Sequence, residues 1–436
     1  MKKVIAVIDI GKTNKKLFLF DKNFDIVHRV SKQFDEVKDD DDCPCDDIEA
    51  IETWIKEQIS QIQLMQQYVI KAINFSTHGA TVIYLDKNGK RVTPVYNYLK
   101  PLSLKDFDFL YEQNEGIEEF SRKTASPSYG MLNAGIQMLW IKYQKPHFWE
   151  KAEHILHYPQ YLSYIFTKKI TADYTSIGAH TAIWDFDNMQ YHTWLKKENI
   201  SLPSPTNGKE AIIAEVNGQS IAIGSGLHDS SSSIIPLLER KDNEKFILLS
   251  TGTWIIAMNP FSKEVLTQHQ LKSNCLCFMT PEKKQIKSSM QFLGKIHEVY
   301  LKAFNDYFNE PQDIYLKLKL SNVLAKKLIQ DNNKIFLQEG IDTVFEANSQ
   351  LLSNFNTYEE AYYQLIYEIS VKVITGINLI LDKNSTTTTI YVSGGFIKNE
   401  VFISFLKALK PSFNIKISNA KDESALGAAL LMKKYF

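Results

Sequence analysis

Two stretches of this chain, IAVIDIGKTNKKLFLFD at residues 5–21 and FILLSTGTWIIAMNP at residues 246–260, share one layout. In each, an apolar run meets a short polar turn containing glycine and resumes as a second apolar run. Runs rich in Val, Ile, Leu and Phe read as buried strands, and glycine supplies the backbone freedom that a tight turn needs. Each stretch therefore predicts a strand–turn–strand unit. The unit recurs after the charged connector ERKDNEK, residues 239–245, which predicts an internal duplication with one domain over 1–240 and a second over 241–436. A chain of 436 residues is long enough for both.

Between these units the apolar period changes to that of helices. Ile48, Ile51, Ile55, Ile59 and Ile62 recur at helical spacing, with Asp46 or Asp47 able to cap the start. Leu132, Ile136, Leu139, Trp140 and Tyr143 repeat in the same way, as do Tyr362, Ile366, Ile369, Val373 and Ile377. Strands are expected at KAINFST, QSIAIG and TTIYVSGG, and a closing helix at ESALGAALLMKKYF. The class is α/β.

Fifty basic and fifty acidic residues leave a net charge of zero, so nothing electrostatic argues for nucleic acid or an anionic membrane as partner. No run approaches 18 apolar residues, and the apolar start of MKKVIAVIDIG stops at Asp9, too short for a signal peptide. These features predict a cytoplasmic protein. Cys43/Cys45 and Cys275/Cys277 lack the usual metal-binding spacing and read as free thiols. The acidic stretch DEVKDDDDCPCDD reads as a solvated loop.

Gly11-Lys12-Thr13 invites a P-loop reading and fails it. The position where that motif needs its first glycine is Ala6, and the residues after Thr13 read as strand rather than helix. A strand–turn–strand glycine can still bring backbone N–H groups to phosphate oxygens, helped by the hydroxyls of Thr13 or Thr253. Alone, either turn is an ordinary hairpin. As a pair from two domains, they predict a grip on phosphate from two sides. Asp9, at the end of the first strand, is placed to hold Mg²⁺ through water. Gly394-Gly395, with Asn399 a few residues on, permits close approach of a flat adenosine. In GSGLHDSSSS, Asp229 leaves a buried strand at a glycine-rich turn, as a general base for a hydroxyl would, or as a helix cap would. His228 receives no role.

The ordered set DIGKTN (9–14), GLHD (226–229), STGTW (250–254) and SGGFIKN (393–399) resembles the FGGY carbohydrate kinases, of the actin- and hexokinase-like superfamily, across essentially the whole chain. The resemblance implies two ribonuclease-H-like (actin-like ATPase) domains with a cleft between them, closing over ATP, Mg²⁺ and a sugar. It implies that Gly11, Thr13 and Asn14 form the first phosphate turn and Thr251, Gly252 and Thr253 the second. Gly394, Gly395 and Asn399 would be the adenosine motif and Asp229 the base. Lys12 either joins the phosphate turn or points to solvent with Lys15 and Lys16. A homodimer is compatible with the family.

One departure stands out. The Asp/Arg pair with which family members often grip the sugar is missing from PVYNYLKPLSL, residues 94–104. His78, Gly79 and Asn97 are the candidates to line the sugar pocket instead, with Tyr96 and Tyr98 equally readable as packing residues. YPQYLSY and GLHD lean toward the fuculokinase and rhamnulokinase side of the family. The expected activity is ATP-dependent phosphorylation of a ketose such as L-fuculose, L-rhamnulose or xylulose. The alternative is an inactive sugar or nucleotide sensor on the same scaffold.

Overall fold

A computed structural model describes residues 1–242, 244–337, 347–418 and 422–436. Strands β1 (Lys2–Ile10), β2 (Lys15–Phe20) and β3 (Ile26–Lys32) form an antiparallel meander, and β4 (Tyr68–Thr77) runs parallel to β1 on its other side. β5 (Ala211–Val216) and β6 (Gln219–Gly224) add a hairpin at that edge, while the short β7 (Leu227–His228) also pairs with β4. Together they make a seven-stranded sheet.

The second sheet has six strands. β8 (Phe246–Thr251) pairs antiparallel with β9 (Ile255–Asn259), and β11 (Gln285–Gln291) joins β9 to the edge strand β10 (Cys275–Met279). β12 (Thr389–Gly394) lies parallel to β8, and β13 (Asn414–Ile417) parallel to β12. The cores of the two sheets have one order, β3-β2-β1-β4-β6 and β11-β9-β8-β12-β13. The duplicated layout of the sequence is thus a duplicated topology.

Burial on both faces explains why β1 reads as one apolar run. Val4, Ala6, Ile8 and Ile10 pack toward helix Ile48–Leu64, through its buried Ile48, Ile51, Trp54, Ile55, Ile59 and Ile62. Ile5 and Val7 face the other way, with Phe18 and Phe20, onto helix Glu423–Leu431. The last helix of the chain therefore packs on the first sheet. Asn74, wholly buried in β4, ties it there: its Nδ2 donates to the Ala428 carbonyl at 2.9 Å while its Oδ1 accepts from Gly226 N at 3.2 Å. Helix Tyr358–Ile380 backs the second sheet. Among the described residues, no helix is long and apolar enough to cross a membrane.

The acidic stretch, read from the sequence as a solvated loop, is largely exposed but is built as paired strand and ion pairs rather than as a free loop. Glu36–Lys38 and Pro44–Asp46 pair as a small antiparallel ribbon. Asp39 and Asp41 each hold Lys100, at 2.6 and 2.5 Å, Asp41 also holds Lys145 at 2.8 Å, and Asp40 accepts from the Tyr96 hydroxyl at 2.7 Å. Both lysines lie over the Trp140 ring, at 5.0 and 5.1 Å. These cations come from remote segments, so only the tertiary fold brings them to the acids. All four cysteines are free.

Candidate active site

Sheet register brings the first cluster together. Asp9 and Ile10 pair with Ser76 and Thr77, and Ser76 and Thr77 pair in turn with Leu227 and His228. Asp9, His78 and Asp229 therefore emerge side by side at the carboxyl ends of three neighbouring parallel strands, where open α/β sheets present their ligand sites.

Asp9 is buried and its Oδ1 accepts from Ser424 Oγ at 3.3 Å. Burial, then the negative charge of Asp229, push its carboxyl up to about 6, against the opposing pull of Lys16. Asp229 opens the short helix Asp229–Ser233. Its Oδ1 accepts from Ser230 N at 2.6 Å and faces His228 Nε2 at 3.3 Å, while Oδ2 has no partner among the described residues. The carboxylate is thus both anchored and partly free, with its side chain 37% exposed. Burial holds the His228 imidazolium below its ordinary range, with Asp229 opposing. A Cβ on Gly79 would press on the His228 ring at 3.0 Å, so the glycine lets this histidine close over the sheet end.

The candidate sugar side is built partly from residues that sequence reasoning passed over. The His78 ring sits 5.3 Å from Tyr98 and 5.5 Å from Tyr158, its Nδ1 meets the Gly79 carbonyl at 3.0 Å, and its Nε2 lies 3.8 Å from Asp46 Oδ2. Asp46 also accepts from Lys15 Nζ at 3.1 Å. Burial pushes the Asp46 carboxyl up, but His78 and Lys15 outweigh it and hold it below the usual carboxylate range. Burial pushes the Tyr98 hydroxyl up, and the charges of Lys12, Asp229 and Asp46 all reach it. Asp46 was hidden among seven other acids of its segment; the one signal was that Asp47 suffices as the helix cap, which it is, accepting from Ala50 N at 3.0 Å.

The first turn closes through Gly11 N–H donating to the Asn14 carbonyl at 3.0 Å, leaving Thr13 and Asn14 exposed. Asn14 Oδ1 accepts from Gln33 at 3.1 Å, and Lys12 pairs with Glu36 at 2.7 Å. Lys15 does not point to solvent: at 2% side-chain exposure it lies under the turn, bonded to the Lys12 carbonyl at 3.0 Å and to Asp46. Asn97 spends its carboxamide on the Pro44 carbonyl at 3.1 Å and on Leu99 N at 3.0 Å, which braces the segment carrying Asp46.

The second turn and the glycine pair also meet by register, Thr251 opposite Gly394. The buried Thr251 hydroxyl donates to the Ser393 carbonyl and accepts from Phe396 N at 3.1 Å, which stitches the two turns together and leaves Gly252, Thr253, Gly394 and Gly395 exposed beside Trp254. Gly394 has φ of +86°, and a Cβ there would collide with the Thr251 carbonyl, so no other residue fits. Beside them lies a cavity of about 210 Å³ lined by Gly252, Gly294, His297, Tyr315, Gly395 and Phe396. Asn399 lines it too, but its side chain caps helix Glu400–Leu409, Oδ1 accepting from Phe402 N at 3.1 Å.

Two ribonuclease-H-like sheets of one topology, each ending in a glycine turn, with acids at the end of the first and a cavity at the end of the second, define an actin-like ATPase fold. Residues 4–229 match the model of the FGGY family of carbohydrate kinases, N-terminal domain, and the chain belongs to that family. It is 24% identical over 246 residues to a rhamnulokinase of Yersinia pestis (strain Pestoides F), a match covering 52% of this chain and 47% of that protein. The chain thus spans about half the length of the curated relatives it matches. A carbohydrate kinase from Novosphingobium aromaticivorans has the same fold, with a TM-score of 0.81 at 20% identity over 99% of this chain and 94% of that one. So does the ligand-bound xylulose kinase from Lactobacillus acidophilus, at 0.76 and 18% identity over 99% and 89% of the two chains.

Proposed function

We propose that this protein transfers the γ-phosphoryl group of ATP to a hydroxyl of a sugar, with Asp229 as general base. The observation that carries the reading is the state of Asp229. One oxygen is held by Ser230 N–H and His228, and the other has no partner among the described residues. A carboxylate so oriented can take the proton of a hydroxyl as that oxygen attacks phosphorus in line. His78, Tyr98 and Asp46 would bind the sugar, with Asp46 supplying the carboxylate that the residue 94–104 segment lacks. The backbone N–H groups of Lys12, Thr13 and Asn14 in the first turn and of Thr253 in the second would hold the phosphates, those of Gly11 and Gly252 being spent within their turns, and the Lys12 ammonium would reach them only by releasing Glu36.

A Mg²⁺ ion suits this site. Asp9 and Asp229 bring two acids together at one sheet end, and a divalent cation would offset the burial and the second charge that raise the Asp9 carboxyl. Asp9 would hold the ion, directly or through water, and the ion's charge would offset that of the phosphates. The likeness to a rhamnulokinase favours a ketose such as L-rhamnulose, L-fuculose or xylulose.

Sugar-dependent ADP release with Mg·ATP, across ketoses, aldoses and polyols, tests the reading. A signal with one sugar class that is lost in Asp229→Asn is the expected result. ATP binding without turnover for any sugar would instead favour the inactive sensor.

A further inference from the structure

The cavity beside the second turn contains a histidine whose protonation pattern is set by its neighbours. Helix Glu400–Leu409 needs an oxygen for Phe402 N–H, and Asn399 Oδ1 provides it at 3.1 Å. The other end of that carboxamide is therefore Nδ2, which donates to the Tyr362 hydroxyl at 2.8 Å. With its oxygen accepting, Tyr362 has one proton left, and the remaining neighbour is His297 Nε2 at 3.1 Å. Nε2 must accept. Burial pushes the His297 imidazolium down to about 3, so the ring is neutral and its single proton sits on Nδ1.

No described residue takes up that proton. Nδ1 has no hydrogen-bond partner among them, although His297 is 7% exposed and clamped between Phe396, at 4.7 Å between ring centroids, and Tyr315, at 5.4 Å. A donor with no protein acceptor is open to an acceptor on a ligand. The ring lines the cavity next to Gly252 and Gly395, the turns that would carry the phosphates.

We propose that His297 reads the base of the nucleotide, donating Nδ1–H to N1 of adenine, with Tyr362 and Asn399 as the positioning residues that fix its tautomer. Adenine presents lone pairs at N1, N3 and N7, whereas guanine carries a hydrogen at N1 and opposes a donor there. Asn399 accordingly acts on the adenosine site through Tyr362 and not by touching the base. Glu298, which also lines the cavity and pairs with Lys295 at 3.1 Å, is positioned to accept from the exocyclic amine of the same base.

The inference rests on the phosphotransfer reading, and calorimetric titration separates the two. Mg·ATP, Mg·GTP and Mg·tripolyphosphate are titrated into the wild type, His297→Phe and Tyr362→Phe. We expect His297→Phe to lose at least tenfold in ATP affinity and most of its preference over GTP. Tripolyphosphate affinity should stay within about twofold, and the ATP affinity of Tyr362→Phe should lie between those of the wild type and His297→Phe. ATP affinity and selectivity unchanged in His297→Phe would overturn the role of His297 alone. A folded wild type that binds neither nucleotide nor tripolyphosphate would overturn the phosphotransfer reading itself, and this inference with it. The ¹⁵N spectrum of His297 in the wild type is independent of any variant's folding: a proton on Nδ1 is required, and one on Nε2 refutes the relay.

Discussion

Asp229 and Asp9 stand at one sheet end in different surroundings. Asp229 keeps Oδ2 free and is partly exposed, so its replacement leaves the packing alone. Asp229→Asn should keep the wild-type thermal midpoint within a degree or two and lower kcat by about 10²–10⁴-fold, the usual worth of a general base. Normal turnover in that variant would remove Asp229 from the mechanism. Asp9 is the strained partner. Its carboxyl titrates at about 6 in the fold against 3.8 ordinarily, so the folded state favours the protonated form. The stability this gives is fully present below the ordinary value and is lost as pH rises through about 6. Asp9→Asn should therefore match the wild type near pH 4 and exceed it at pH 8 by on the order of 2–3 kcal/mol in magnesium-free urea unfolding. A difference that does not grow with pH would show that Asp9 is not under this pressure.

Among elements, the second turn, at residues 251–253, depends on how closely helix Leu293–Phe308 approaches it. Lys295 N–H donates to the Thr253 carbonyl at 3.1 Å, and a Cβ on Gly294 would collide with the Gly252 carbonyl. Gly294→Ala must therefore displace the turn rather than a flexible side chain. Its KM for ATP should rise about tenfold or more while the helix content is unchanged, because misplaced donors forfeit charge-assisted bonds of roughly 1.5–3 kcal/mol each. Steady-state kinetics with ATP varied provides the check; an unaltered KM would mean the turn does not touch phosphate. The same logic of close approach operates at Gly427, where a Cβ would collide with the Ser232 carbonyl and lift the last helix off the helix that begins with Asp229.

Over the whole molecule, that last helix joins the halves. It comes after the second sheet in sequence yet covers Ile5, Val7, Phe18 and Phe20 of the first, while Ser424 reaches Asp9 and Lys16 pairs with Asp422 at 3.3 Å. Each of those four apolar side chains is worth roughly 1.5–3 kcal/mol when buried, together comparable with the whole stability of a domain, about 5–15 kcal/mol. A protein ending at residue 422 should lose its cooperative thermal transition and aggregate. A soluble fragment with a sharp transition would show that the first sheet is stable uncovered.

The sequence by itself determined the elements and their duplication, because these are local: β1 and β8 are apolar runs broken at glycine, and helix Ile48–Leu64 repeats isoleucine at helical spacing after its Asp47 cap. It also determined which turns and which acid, Asp229, stand at strand ends, since a strand and its exit are contiguous in the chain. What only the tertiary structure decided is which polar side chains remain unspent. Asn97, Asn399 and Thr251 looked available in the sequence, and each is consumed by a backbone partner. Asp46 and Lys15 looked solvated, and they form a buried pair beside His78. Whether a donor or acceptor is free depends on partners brought in by strand register and by helices remote in sequence, and no local pattern of residues contains that information.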